Sequence, residues 1–147
     1  MHIAVGSDHA GLGLKKILSD HLVGLGFHVE DLGTTKPESC DYPDYAKSVG
    51  EAVSLGRADW GLLVCGTGVG MAMAANKVRG VRAAVVSDTF CASATRQHNN
   101  ANVLCLGERV VGVGVAVNIV NAWLSAEFEG GRHQRRIDKI TVMEETL

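Results

Sequence analysis

Apolar and polar positions divide the chain into short and long segments that alternate. Runs dominated by apolar, often β-branched residues recur at His2–Gly6, Phe27–Leu32, Trp60–Val64, Arg82–Val86 and Asn102–Leu106. They are too short for helices and lack a polar alternation, so they read as strands buried on both faces. Between them the spacing becomes helical. Leu14, Ile17, Leu18, Leu22 and Leu25 predict a helix over Leu12–Leu25 that Gly24 and Gly26 end. Similar patterns predict helices over Tyr42–Leu55, with Pro43 in the first turn, and over Val69–Lys77. Asp88–Gln97, capped by Ser87 or Asp88, and Val110–Ala126 follow. The break Glu129-Gly130-Gly131 precedes a last helix over Arg132–Glu145.

Strands that alternate with helices imply a parallel sheet covered on both faces. The predicted architecture is α/β: a three-layer αβα fold with a five-stranded, parallel, doubly wound sheet of Rossmann or flavodoxin type and a C-terminal helix. A length of 147 residues suggests a single domain over 1–147. In such folds ligands gather beyond the carboxyl ends of the strands. That rule directs attention to Ser7-Asp8-His9, Cys65-Gly66-Thr67, Ser87-Asp88 and Gly107-Glu108-Arg109, which all follow predicted strands.

Composition narrows the function classes. Hydrophobic residues make up 46% and charged residues 20%, which argues against disorder. A formal net charge of −2 gives no reason to expect nucleic acid or an anionic membrane as partner. No apolar run is long enough to span a bilayer, and Met1-His2 leads straight into Ile3-Ala4-Val5 without a basic leader. A cytoplasmic protein is expected. The cysteines Cys40, Cys65, Cys91 and Cys105 show no C-x-x-C spacing, so a structural zinc site is not expected. Cys105 reads as a small buried hydrophobe, and Cys40 and Cys91 have no assigned role. Trp60 and Trp123 read as core or interface residues, and His2, His21 and His28 as surface or partly buried ones.

Glycine is the outlier, at 18 residues, and it concentrates meaning in one loop. Cys65-Gly66-Thr67-Gly68-Val69-Gly70 joins an apolar strand to a helix, and alternating glycines let backbone amides converge on an anion. As a pattern this is equally a tight structural turn. It lacks the full dinucleotide fingerprint and the Lys-Ser/Thr ending of a P-loop. A thiol at its head adds chemistry, because a helix N-terminus favours a thiolate that can act as nucleophile or base. Proton abstraction beside a carbonyl, with amides holding the enediolate oxygen, is then coherent. Asp8 and His9 can bind sugar hydroxyls and phosphate or simply cap a helix. His98 can cap a helix C-terminus or serve as an acid–base group near neutral pH. Arg132 and Arg136, four apart, share a helix face suited to phosphate or to solvent, and Arg109 can reach the same crevice. His133 and Arg135 fall on other faces and are weaker candidates.

Taken together, several segments resemble the family of type B ribose-5-phosphate isomerases, which also holds galactose-6-phosphate and allose-6-phosphate isomerases. They are Gly6-Ser7-Asp8-His9-Ala10-Gly11, Asp41-Tyr42-Pro43, Cys65 to Gly70, Ala74-Ala75-Asn76-Lys77, Arg96-Gln97-His98-Asn99 and Phe128 to Gln134. The resemblance runs from Ile3 to about Ile140. It implies that His98, assisted by Thr67, opens a furanose ring, and that Cys65 moves a proton between C1 and C2 through a cis-enediolate. Amides from Gly66 through Thr67, Gly68 and Val69 to Gly70 would stabilise that intermediate. Asp8 and Asn99 would hold sugar oxygens, and His9, Arg109, Arg132 and Arg136 the phosphate. It further implies a homo-oligomer, dimer or tetramer, with sites shared between subunits, a place in the pentose phosphate pathway, and no metal or organic cofactor. Some members of the family use a Glu on the helix after the loop as base. Here that helix begins Met71-Ala72-Met73-Ala74, so the role falls on Cys65. A phosphohexose substrate, or a phosphate-binding module without catalysis, are the alternatives.

Overall fold

The computed structural model describes residues 1–147. Five strands form one parallel sheet: β1 (His2–Ser7), β2 (His28–Asp31), β3 (Trp60–Cys65), β4 (Ala83–Val85) and β5 (Val103–Gly107), in the order β2-β1-β3-β5-β4. Six helices connect and follow them: α1 (Leu12–Gly24), α2 (Tyr42–Ser54), α3 (Val69–Ala75), α4 (Thr89–Gln97), α5 (Val113–Ser125) and α6 (Arg132–Thr146). This is the predicted three-layer arrangement.

Period-two alternation decides what each central strand residue meets. Ile3, Val5, Leu62, Val64, Leu104 and Leu106 face one layer, where Leu14, Leu18 and Leu22 of α1 meet Ile119, Val120 and Trp123 of α5. Ala4, Leu63, Cys65, Val103 and Cys105 face the other, against Ala46 and Val49 of α2 and Met71 and Ala75 of α3. Full burial of each Leu, Ile or Val side chain is worth about 1.5–3 kcal/mol. The middle of the sheet is therefore its most rigid part, and Cys65 stands at the end of it. A lysine is buried deep as well. Lys15 is 2% exposed, pairs with Asp31 at 2.9 Å and donates to the Thr34 carbonyl, which ties down the loop after β2.

Most boundaries agree with the pattern to within two residues; the main difference is at α5, which starts at Val113 rather than Val110. The amides of Val110 and Val111 both turn back to the Gly107 carbonyl, and Gly112 enters the helix with extended backbone. The apolar run Val110–Val111 continues the helical pattern across this turn, so periodicity alone does not reveal it. Asp88 caps α4 by accepting from the Cys91 amide, as anticipated.

Candidate active site

The sheet order places a topological switch between β1 and β3, since the chain leaves β1 toward β2 and returns to its other side as β3. The segments that follow these two strands meet at the crevice where open α/β sheets bind ligands. From β1 comes Asp8, 6% exposed, whose Oδ1 accepts from the amides of Ala10 and Gly11 at 2.9 and 3.2 Å. This caps a short 3-10 turn over His9–Gly11 and leaves Oδ2 for another partner. The Cys40 amide donates to His9 Nδ1 at 3.2 Å, so a neutral His9 carries its proton on Nε2. Cys40, without a role in the sequence, thus sets the state of a candidate ligand. Glu108, just after β5, accepts from the Leu14 amide and caps α1 from across the crevice.

From β3 comes the glycine loop. Cys65 is 5% exposed and lies at the carboxyl end of β3, paired with Gly107. Gly68 has φ +81°, a conformation that favours glycine, and its amide donates to Cys65 Sγ at 3.1 Å. The Val69 amide donates to Thr67 Oγ1 at 3.2 Å. Two of the orphan amides that open α3 are thereby satisfied within the loop. The next two, Gly70 and Met71, have no helical carbonyl one turn back and are the ones left for a ligand. The Tyr42 ring covers Gly70, where a Cβ would lie 2.8 Å from it, and the Arg109 guanidinium lies over Gly66 at 3.5 Å from the same kind of built atom.

Neither Cys91 nor Cys105 competes with Cys65. Burial, then the neighbouring Cys65, pushes the Cys105 thiol far above the ordinary range, so it stays protonated. The hydrogen bond to Asp88 raises the Cys91 thiol as well.

The loop depends on close backbone contact. A Cβ on Gly107 would lie 2.7 Å from the Thr67 backbone. Gly107→Ala should therefore cost about 1–3 kcal/mol of stability and displace the loop, lowering both Tm and kcat. Unchanged thermal unfolding and kcat would show that the contact is not limiting.

The remaining candidates stand elsewhere. His98 caps the end of α4, and α4 runs antiparallel to the strands, so its end lies where the strands begin. Asn100, at φ +44°, and the Ala101 amide returning to the Thr95 carbonyl stop that helix before β5. Asn99, Arg132 and Arg136 are exposed at the same end, because the Glu129 amide binds the Gln97 carbonyl and fixes the start of α6 there. With Cys65 opposite Gly107 and Gly61 opposite Val103, the length of β5 separates the groups by roughly 13 Å along the strands. The crevice common to Arg109, Arg132 and Arg136 is thus absent from a single chain: Arg109 lies with Cys65, Arg132 and Arg136 with His98. The reason is topological. His98 and the two arginines precede or bypass strands instead of following them. Two open clefts, of 710 and 640 Å³, line the α6–β4 and α2–α3 surfaces, and neither contains Cys65 or His98.

His133 also departs from its sequence reading. It is 8% exposed and stacks on His98 with ring centroids 4.5 Å apart and 16° between planes. Glu129 Oε2 lies 3.8 Å from His98 Nε2 and 3.9 Å from His133 Nε2. These three side chains form the one group whose ligand atoms could hold a metal, all within 4.8 Å of one another.

A family model described as Ribose/Galactose Isomerase matches residues 3–140. The chain belongs to the ribose/galactose isomerase family. It is 52% identical over 143 residues to ribose-5-phosphate isomerase B of Escherichia coli strain K12, covering 97% of this chain and 96% of that one. The structure of Clostridium thermocellum ribose-5-phosphate isomerase B superposes with a TM-score of 0.98 at 51% identity, covering 99% of this chain and 98% of that one. The Mycoplasma genitalium ribose-5-phosphate isomerase B with bound ribulose-5-phosphate superposes with a TM-score of 0.95 at 51% identity, covering 99% and 97%.

In this ribose/galactose isomerase, sequence reasoning found the loop residues because they follow strands. It missed Glu129 and His133 as neighbours of His98. Their spacing of four is a helical signal, but the glycines between them hide it. It also missed Cys40, whose contribution is a backbone amide that no residue type announces.

Proposed function

We propose that the chain interconverts ribose 5-phosphate and ribulose 5-phosphate, a step of the pentose phosphate pathway in the cytoplasm, with residues 1–147 acting as one catalytic domain. Nearly full-length likeness to isomerases of this substrate pair supports it. The observation that carries the chemistry is the Gly68 amide aimed at Cys65 Sγ, at the switch point of the sheet. That amide fixes the sulfur at the head of the loop, beside the free amides that open α3.

Isomerisation then runs in two stages. Ring opening breaks the C1–O4 bond of the furanose while C1=O1 forms; O1 loses a proton and O4 gains one. His98 and Thr67 carry that exchange. The Cys65 thiolate next takes the proton from C2, and the electron pair moves into a C1–C2 double bond and onto O1. Amides of the glycine loop, Gly70 among them, hold the resulting cis-enediolate. The O2 hydroxyl then gives up its proton as O1 gains one, the electron pair left on O2 forms the ketose carbonyl at C2, the C1–C2 double bond opens, and Cys65 returns its proton to C1. Asp8 Oδ2 and Asn99 hold sugar oxygens, and His9, Arg109, Arg132 and Arg136 surround the phosphate. No step calls for a metal or an organic cofactor.

This division of labour needs two copies of the chain. The amino end of the sheet in one copy, with His98, Asn99, Arg132 and Arg136, would close over Cys65 at the carboxyl end in the other. The exposed apolar residues Val69, Phe90, Val110 and Val113 support this arrangement. Each lies shortly after β3, β4 or β5, at the end of the sheet that carries Cys65, and at 48–78% exposure they form a surface suited to a partner. A two-fold axis would build two such sites at once.

The test is a panel of ribose, allose and galactose phosphates, each run with and without chelator. Turnover of ribose 5-phosphate, insensitive to chelator, is expected; preference for a phosphohexose or dependence on metal would overturn the assignment. Arg136→Ala should raise KM for the phosphosugar about tenfold or more, as expected for a lost hydrogen bond to a charged group, with a smaller change in kcat. An unchanged KM would place the phosphate elsewhere.

A further inference from the structure

His98 is 45% exposed at its side chain and sits at the end of α4, and its ring has no close hydrogen bond. A ring in that position is free to rotate, which suits proton transfer badly, since reacting atoms must be held within hydrogen-bond reach. Three observations converge on what restrains it. The His133 imidazole lies nearly parallel to it, with centroids 4.5 Å apart. The Glu129 carboxylate stands between both Nε2 atoms at 3.8 and 3.9 Å. The Glu129 amide bonds the Gln97 carbonyl at 3.1 Å, which locks the α6 entry to the residue before His98.

We infer that Glu129 and His133 are positioning residues for His98: His133 is the flat platform that fixes the plane of its ring, and Glu129 turns its Nε2 toward the carboxylate. This rests on the ring-opening role proposed above for His98. Burial, then His98 and Arg132, push His133 below the ordinary histidine value despite the opposing pull of Glu129; Arg136 pushes the same way. A neutral His133 can stack on His98 whichever protonation state His98 passes through, so the platform survives the proton-transfer cycle. Its other neighbours, Arg132 and Arg136, flank it on α6 and point to solvent.

The same trio invites a metal reading, and its geometry disfavours one. An imidazole binds metal through an in-plane lone pair at about 2.0–2.1 Å. Two rings only 16° from parallel and stacked face to face direct their lone pairs side by side. A single ion could lie in the plane of one ring but not of both.

The experiment compares two substrates in the same direction of the reaction. Ribose 5-phosphate is a closed ring in solution. Its 4-deoxy analogue lacks O4 and has its C5 oxygen esterified, so it cannot close a ring. Glu129→Gln and His133→Ala should each lower kcat from ribose 5-phosphate about tenfold, with KM little changed. The kcat for the 4-deoxy analogue should stay within about twofold of wild type. His133→Phe keeps a flat ring and should recover most of the loss, whereas His133→Ala should not. Glu129 is exposed, so Glu129→Gln tests the idea even if His133→Ala unfolds. Equal losses on both substrates, wild-type kcat from ribose 5-phosphate in Glu129→Gln, or a His133→Phe protein no better than His133→Ala would overturn the proposal. Activity lost on exhaustive chelation and restored by Zn²⁺ would overturn it in favour of a metal. His98→Asn measured alongside separates the two levels: if it shows no difference between the substrates, the ring-opening role itself fails.

Discussion

Cys65→Ala should lower kcat for ribose 5-phosphate by about 10³-fold or more while the protein stays folded. The residue is 5% exposed among Leu63, Met71 and Cys105, so the change removes one sulfur from an otherwise intact core. It also strips the Gly68 amide of its acceptor, a cost of about 1–3 kcal/mol. Cys65→Ser separates these effects. A serine oxygen can accept from Gly68 and keep the loop in place, yet a hydroxyl is far harder to ionise than a thiol and makes a poor source of base. Loss of activity in both variants, with the serine protein close to wild type in stability, is the expected pattern. No carboxylate on the helix after the loop can take over, because α3 runs Val69-Gly70-Met71-Ala72-Met73-Ala74-Ala75 without an acid. A kcat near wild type in Cys65→Ser would remove the thiolate from the mechanism.

His98→Asn should reduce kcat from ribose 5-phosphate by about 10²-fold, and far less from a 4-deoxy analogue that cannot close a ring. Asparagine keeps a polar side chain at the end of α4 but cannot carry a proton between oxygens. The placement of His98 adds a second, sharper expectation. Cys65 and His98 lie at opposite ends of the sheet in one chain, separated by the full length of β5. If each site draws on both chains, the two inactive proteins should complement one another. Mixing Cys65→Ala with His98→Asn under conditions that exchange subunits should restore up to about a quarter of wild-type activity, because a heterodimer keeps one site with both groups intact. A mixture as inactive as its components, with subunit exchange verified, would mean that the site is built within one chain.

Much of this was legible before any coordinates. Strand and helix segments follow from periodicity, which is a property of neighbouring residues. The rule that ligands collect at carboxyl ends of strands directed attention to Asp8, His9, Cys65 and Arg109, which the fold brings to one end of the sheet, and also to Ser87-Asp88, where Asp88 caps α4. The same rule was silent about His98, Arg132 and Arg136. They sit on helix ends and loops at the other edge, and nothing local says that a second copy can bring that edge to Cys65. His133 shows the limit most plainly. By helical spacing it turns away from Arg132 and Arg136, and that spacing gives no sign of what it meets instead. Turning away from solvent is what stacks it on His98.

By itself the sequence determined the layer architecture, the thiol at the head of a glycine loop, and the absence of a rival acid on α3. These depend on residue order and short-range sterics: the two-residue period of a strand, the turn that glycine permits, the identity of seven helical residues. Only the tertiary structure decided which chemistry stands together. The strand order β2-β1-β3-β5-β4 put Asp8 and Cys65 at one switch point and left His98 with Glu129 and His133 at the far end. Contacts between residues thirty or more apart are set by how strands are ordered and where helices end, and these are properties of the packed whole.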